Sequence, residues 1–137
     1  MECKISITEE LAPISLDKIA SFILSLQKEN GEIPWSAGGK TDPWDHVESA
    51  MGLSIGGCWT EARRAYDWLA QTHLPDGSWW SEIQDGKIIN SSKESNFSAY
   101  IAVGVFHHYL ITRDIMFLKT MWPTISQGVQ FAVNLQA

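Results

Sequence analysis

Four residues that can carry a proton fall within seven positions in the run Asp42-Pro43-Trp44-Asp45-His46-Val47-Glu48. Asp45 and Glu48 are three apart, so on a helix both carboxylates lean toward one side of its first two turns. Sugar hydrolysis needs two carboxyl groups at a controlled separation, one kept protonated by a raised pKa and one acting as base or nucleophile. Neighbours on one helix are too close and too similarly oriented to flank a glycosidic bond. The second member of a working pair is therefore expected on another hairpin, and Glu94 is the candidate within this chain. Each acid also has a structural use. With Asp42 as N-cap, Asp45 falls at the third helical position, where an acid favours the helix dipole and can complete a capping-box-like arrangement. Glu48 could equally serve an ion pair or a solvated face. His46 could carry a proton, bind substrate or ligate a metal, although a lone histidine at a helix start more often makes structural hydrogen bonds.

Tryptophan is the unusual component, with seven in 137 residues, mostly beside Gly, Pro or Asp. Trp35, Trp44, Trp79 and Trp80 fall in turns or at a helix start, where flat apolar faces can stack on sugar rings or on an isoprenoid chain. The alternative is that a tryptophan plugs the seam between neighbouring hairpins, which the internal repeat favours for Trp35 and Trp79. Trp44, directly before Asp45, is the first candidate for substrate contact, followed by Trp35 and Trp80. Asn96 and Tyr100 align with Trp44 and Glu48 in that repeat and are the polar cavity candidates.

These residues need helices to position them, and the spacing predicts five. Ile19, Phe22, Ile23 and Leu26 give residues 15 to 29 a helical apolar face, with Ser15 as N-cap and Asn30-Gly31 as stop. Asp42-Pro43 starts a second helix that ends at Gly56-Gly57. Trp59, Ala62, Tyr66 and Leu69 mark a third, closed by Leu74-Pro75-Asp76-Gly77. A fourth covers Asn96 to about Ile111; its few charges predict burial on most sides. Asp114 opens a fifth, which Pro123 is expected to divide. The sole strand signal is a short hairpin flanking Asp85-Gly86.

The helices are of two alternating kinds. Helices one, three and five end in an aromatic residue five positions before a glutamine: Phe22 and Gln27, Tyr66 and Gln71, Phe131 and Gln136. Matching turns, Gly31-Glu32-Ile33-Pro34-Trp35 and Gly77-Ser78-Trp79-Trp80, follow the first two. Helices two and four align Ala50-Met51-Gly52-Leu53 with Ala102-Val103-Gly104-Val105, placing small residues where a neighbouring backbone must come close. The order is outer, inner, outer, inner, outer. The expected organisation is one partial domain over 1–137, with 1–14 a lead-in and 15–137 helical repeats. Such hairpins cannot bury both faces alone, so further C-terminal hairpins or a partner chain are expected to complete the core.

The run from Arg113-Asp114 through Phe117-Leu118 and Trp122-Pro123 to Phe131 resembles the T-G-D-x-x-F-L-x-x-x-W-P helix of six-hairpin glycosidases, with Arg113 in place of the motif's Gly. Asp42 to Glu48, and Glu94-Ser95-Asn96-Phe97 to His107-His108, are similar to bacterial prenyltransferase-like proteins. Gln71-x5-Gly77-Ser78-Trp79 resembles the Gln/Trp repeat of terpenoid cyclases. All three resemblances imply an all-α fold, an incomplete (α/α)6 toroid of about two and a half hairpins. They also imply a cavity mouth at the N-terminal ends of the inner helices, where Asp42 to Glu48 and Glu94 to Tyr100 would sit. They differ on chemistry. Neither the Asp-rich motif of cyclases nor the Asp, Cys and His zinc set of protein prenyltransferases is found.

Composition removes other classes. A net charge of −6, with ten scattered Lys and Arg, offers no stripe for nucleic-acid phosphates. No apolar stretch approaches the ~20 residues that span a bilayer, and MECKISITEE has no apolar signal core, so a cytoplasmic protein is expected. Cys3 and Cys58 read as two reduced thiols. No metal and no cofactor are expected. Gly38-Gly39-Lys40-Thr41 fails as a phosphate loop, because Pro34 stands where the first Gly is required and no strand precedes it. Three readings result: a carbohydrate-active enzyme using acid/base chemistry in a Trp-lined cavity, an isoprenoid-handling prenyltransferase-like or cyclase-like protein, and a non-catalytic helical-repeat module.

Overall fold

The computed structural model describes residues 13–136, so Cys3 and most of the N-terminal lead-in lie outside the described residues. The chain is all-α apart from one small hairpin: α1 (Leu16–Leu26), α2 (Pro43–Ile55), α3 (Trp59–Thr72), β1 (Glu82–Gln84), β2 (Lys87–Asn90), α4 (Ser95–Thr112) and α5 (Ile115–Asn134).

The helix starts follow local chemistry. The side chains of Ser15, Asp42 and Asp114 accept the N–H groups of Lys18, Asp45 and Phe117 and so cap α1, α2 and α5. α1 stops at Leu26, short of the expected Asn30-Gly31. Gln27 leaves the helical region at ψ 125°, and its side-chain amide donates to the carbonyls of Gly31 and Glu61 at 3.2 and 2.9 Å. Pro123 does not divide the fifth helix, which runs unbroken from Ile115 to Asn134. Pro123 and Lys119, whose carbonyl loses its N–H partner, both lie on the exposed side, where water can satisfy that group. The hairpin closes through Asp85 and Gly86, both at positive φ, the pair of left-handed residues that a tight two-residue turn requires.

α2 packs against α1, α3 and α4, and α4 packs against α2, α3 and α5. Contacts between Glu48 and Tyr100 near the helix starts, and between Ser54 and His108 near their ends, show that α2 and α4 run parallel and in register. α1, α3 and α5 return outside them. The core between the two layers contains Leu53, Tyr66, Leu69, Ile101, Phe117 and Met121, all fully buried or nearly so. Each of these side chains other than Tyr66, whose buried hydroxyl has no partner among the described residues, contributes roughly 1.5–3 kcal/mol through burial.

Two turns share a structural device, but not the one that the sequence suggests. Phe22 is 63% exposed whereas Tyr66 is 0% exposed, so the aromatic-x4-Gln endings are not equivalent positions. The repeated device is the turn glycine. Gly31 (φ +97°) presses on the Arg64 carbonyl of α3, and Gly77 (φ +86°) on the Gln127 carbonyl of α5. In both, an added Cβ would lie within 2.4 Å of a backbone oxygen. Gly52 and Gly104 also match, although what comes close is a side chain instead of backbone: Ile23 of α1 at Gly52, and Val47 and Tyr66 at Gly104. Gly77→Ala is therefore expected to cost ~2–4 kcal/mol, combining left-handed strain with a backbone clash. Gly86→Ala, at φ +73° with nothing within 4 Å, should cost only ~1 kcal/mol. Urea midpoints for the two variants check this contrast.

α4 is not buried on most sides. Val103, Phe106 and Leu110 are exposed and, with Met51, line an open apolar groove. Nothing among the described residues packs on that side. Leu16, Ile19 and Phe22 of α1, and Met116, Trp122 and Val133 of α5, are likewise uncovered.

Candidate functional site

A groove of about 470 Å³ lies between α1 and the first half of α2. Asp45, Glu48 and Trp35 line its polar side, and Ile19, Phe22 and Ile23 its apolar wall. Asp42 organises the polar side without lining it. It is buried, with one carboxylate oxygen accepting the Asp45 amide at 2.9 Å and the other accepting the Trp35 indole N–H. A single residue thus caps α2 and fixes the tryptophan. Lys40 lies over the Trp35 ring at 4.1 Å and pairs with Glu82 of β1. The hairpin is tied to the same loop by reciprocal backbone bonds between Thr41 and Ile83 at 2.8 and 2.9 Å. Trp35 is 51% exposed, so it does not plug a seam. Trp79 does: it is buried and donates to the Leu69 carbonyl at 3.1 Å.

Asp45 does not complete a capping box; Asp42 does the capping. Burial, followed by the nearby Asp42 charge, raises the Asp45 carboxyl from its ordinary value to about 6. Glu48 is held differently. Its Oε1 accepts the Trp44 indole N–H at 2.9 Å and the Tyr100 hydroxyl at 3.3 Å. The Trp44 and Tyr100 rings stack with centroids 3.8 Å apart and planes 5° from parallel. Trp44, Glu48 and Tyr100 are thereby drawn from two helices into one cluster, beside which Asp45 faces the same groove as Glu48.

The remaining candidates lie elsewhere. His46, expected as a cavity contact, is fully buried. Its Nδ1 accepts the Ile33 amide at 3.1 Å, and its Nε2 lies 2.8 Å from the Ala65 carbonyl. Both nitrogens are thus used in joining the first turn to α2 and α3. Burial lowers its pKa to about 4, which keeps the ring neutral. Glu94 is the exposed N-cap residue of α4, with Oε1 3.5 Å from the Ser81 hydroxyl, and does not line the groove. Asn96 is exposed in the first turn of α4. Trp80 borders a separate cleft of about 40 Å³, beside Trp68 and Ile83. No group of three or more metal-ligating side chains occurs among the described residues. No helix among them is long and apolar enough to cross a membrane.

The sequence reading missed the α1 wall. Ile19 and Phe22 carry the helical spacing of a core face, yet they face the groove. It also missed the second use of Asp42, for which the Asp42-to-Trp35 separation holds no local signal.

No family model matches the chain. The chain is 44% identical over 126 residues to the MMP endo-(1,4)-3-O-methyl-alpha-D-mannosidase of Mycolicibacterium hassiacum, a match covering 92% of this chain and 35% of that protein. The chain spans about a third of that relative's length, and what it is similar to is a glycosidase.

Proposed function

We propose that this chain forms one wall of the active site of a glycosidase built as an (α/α) toroid, with Asp45 as proton donor. The observation that carries this reading is the Asp45 carboxyl, raised to about 6, in a groove that also presents Glu48 and the exposed face of Trp35. A carboxylic acid still half protonated near pH 6 is suited to protonating a leaving glycosidic oxygen. Glu48, steadied through one oxygen by Trp44 and Tyr100, keeps its other oxygen to accept a sugar hydroxyl. Trp35, pinned by Asp42, offers a stacking face.

The substrate proposed is an α-(1,4)-linked chain of 3-O-methylmannose, following the relative. An apolar wall of Ile19, Phe22 and Ile23 opposite carboxylates suits a sugar that is methylated on one edge and hydroxylated on another. An isoprenoid diphosphate would instead meet Asp45 and Glu48, with the buried Asp42 charge behind them and Lys40 alone to oppose them, and charge disfavours it. The opposing carboxylate comes from hairpins that follow α5, and not from Glu94, whose side chain leans on Ser81. Support for such hairpins comes from the uncovered apolar faces of α1, α4 and α5.

The test is titration of the chain with a 3-O-methylmannose oligosaccharide, followed by NMR of the tryptophan indoles. Trp35 and Trp44 should shift. Glu48→Gln should weaken that response about tenfold, the loss of a charge-assisted hydrogen bond. Unmoved Trp35 and Trp44 resonances would overturn the reading.

A further inference from the structure

At the opposite end of the α2/α4 pair lies a second groove of about 280 Å³, bordered by Trp59, Thr60, Arg63, His108, Thr112 and Asp114. Ser54, at that end of α2, is nine residues beyond Asp45, or ~14 Å along the helix axis. The groove shares no residue with the Asp45 site.

Its polar groups can be assigned from their bonds. The arrangement that satisfies both contacts has the Ser54 hydroxyl donating to the Ala50 carbonyl at 2.9 Å and accepting from His108 Nδ1–H at 2.8 Å. That fixes the tautomer and leaves His108 Nε2 as a bare acceptor at the groove. Burial holds the His108 pKa below its ordinary value, although Asp114 opposes the shift while Arg63 and His107 reinforce it. Arg63 spends one N–H on Asp114 at 3.2 Å, and the rest of its fork remains available. The other Asp114 oxygen caps α5 at Phe117, and the Thr112 hydroxyl is spent on the His108 carbonyl and the Asp114 amide. Trp59 is 48% exposed, yet its indole N–H is anchored on the Ser54 carbonyl at 3.1 Å. Its ring is a fixed, uncovered platform.

We propose that this groove is a second, non-catalytic carbohydrate-binding site, in which a sugar ring stacks on Trp59 while its hydroxyls bridge Arg63, Asp114 and His108 Nε2. An anion drawn to Arg63 would meet the Asp114 carboxylate, and a cation drawn to Asp114 would meet the guanidinium. A neutral polyol, with a donor and an acceptor on each hydroxyl, satisfies both together with the bare imidazole nitrogen. The aromatic platform selects a ligand with an apolar face, and pyranose rings present one. The volume is close to the lower end of small-ligand pockets. The identity of the sugar rests on the glycosidase reading above; the groove's geometry does not. A site at the far end of the same helices would hold a polymeric substrate on the protein while another stretch of it occupies the Asp45 groove.

The experiment titrates the chain with a 3-O-methylmannose oligosaccharide and, separately, with inorganic phosphate, reading the Trp59 indole and the Arg63 and Thr112 amides by NMR. The oligosaccharide should move them. Arg63→Met and Trp59→Ala should each weaken that response about tenfold while leaving the Trp35 and Trp44 shifts intact. Thermal melts check that both variants fold, and Arg63→Met alters a partly exposed side chain with little demand on the core. Shifts confined to Trp35 and Trp44 would overturn the second site and leave the catalytic reading standing. Shifts confined to Trp59 would do the reverse. A response to phosphate but not to sugar, or no response to either, would overturn the second site.

Discussion

In the glycosidase proposed above, completed by the hairpins that follow α5, Asp45→Asn is expected to lower hydrolysis of an α-(1,4)-linked 3-O-methylmannose chain by ~10²–10⁴-fold, the usual worth of a positioned general acid. The pH profile is the sharper readout. A proton donor works while protonated, so wild-type kcat/KM should fall as pH rises through about 6, the value to which burial and Asp42 lift this carboxyl. In Asp45→Asn that limb should vanish along with most of the rate. Stability should move the opposite way. A carboxyl raised from 3.8 to about 6 stabilises the fold fully below pH 3.8, and that contribution is lost as pH rises through about 6. The asparagine variant should therefore be the more stable protein at neutral pH, by at most ~1 kcal/mol because the group is only partly buried. A variant slower, more stable and without the limb near pH 6 marks Asp45 as an acid held at a cost to the fold. An unchanged pH profile would remove it from that role.

The largest stability effect is expected at His46. The ring is buried, and its two nitrogens join the Ile33 amide in the first turn to the Ala65 carbonyl in α3. His46→Ala orphans a buried N–H and leaves a cavity, together worth ~3–4 kcal/mol. That is a large fraction of the ~5–15 kcal/mol that holds a domain together. His46→Phe keeps most of the volume and loses both bonds, so the difference between the variants separates packing from hydrogen bonding. Because the folded pKa is lowered from 6.5 to about 4, the wild-type contribution is complete above pH 6.5 and is lost as pH falls through about 4. Urea midpoints measured from pH 7 to pH 4 should decline for this reason, and in His46→Phe that part of the decline should disappear.

How much was legible follows from how far each signal reaches. Asp42-Pro43 marks the start of α2 correctly because capping is settled within three residues, and Asp85-Gly86 marks the hairpin because a two-residue turn dictates its own φ angles. Pro123 misleads because its cost depends on which side of the helix the freed carbonyl faces, and that is decided by what packs against α5. Phe22 and Tyr66 look alike in sequence and differ wholly in burial, since α1 packs chiefly against α2 whereas α3 packs against α2, α4 and α5. His46 illustrates the same limit: nothing local says that its two nitrogens will meet residues 13 positions before it and 19 positions after it.

The candidate site divides in the same way. The run Asp42 to Glu48 is visible as a carboxyl cluster on the first two turns of a helix, and the alignment of α2 with α4 already sets Tyr100 against Glu48 in kind. By itself, then, the sequence determined where the helices begin and which short run carries the acids. These depend on backbone bonds and side-chain spacing over a few residues. Only the tertiary structure decided that the Asp45 carboxyl is raised to about 6 while Glu48 is clasped by Trp44 and Tyr100, that His46 turns inward, and that Trp59, Arg63, His108 and Asp114 meet at the far end. Burial, a neighbouring charge and a hydrogen bond from another helix depend on where distant segments come to rest, and only packing supplies that.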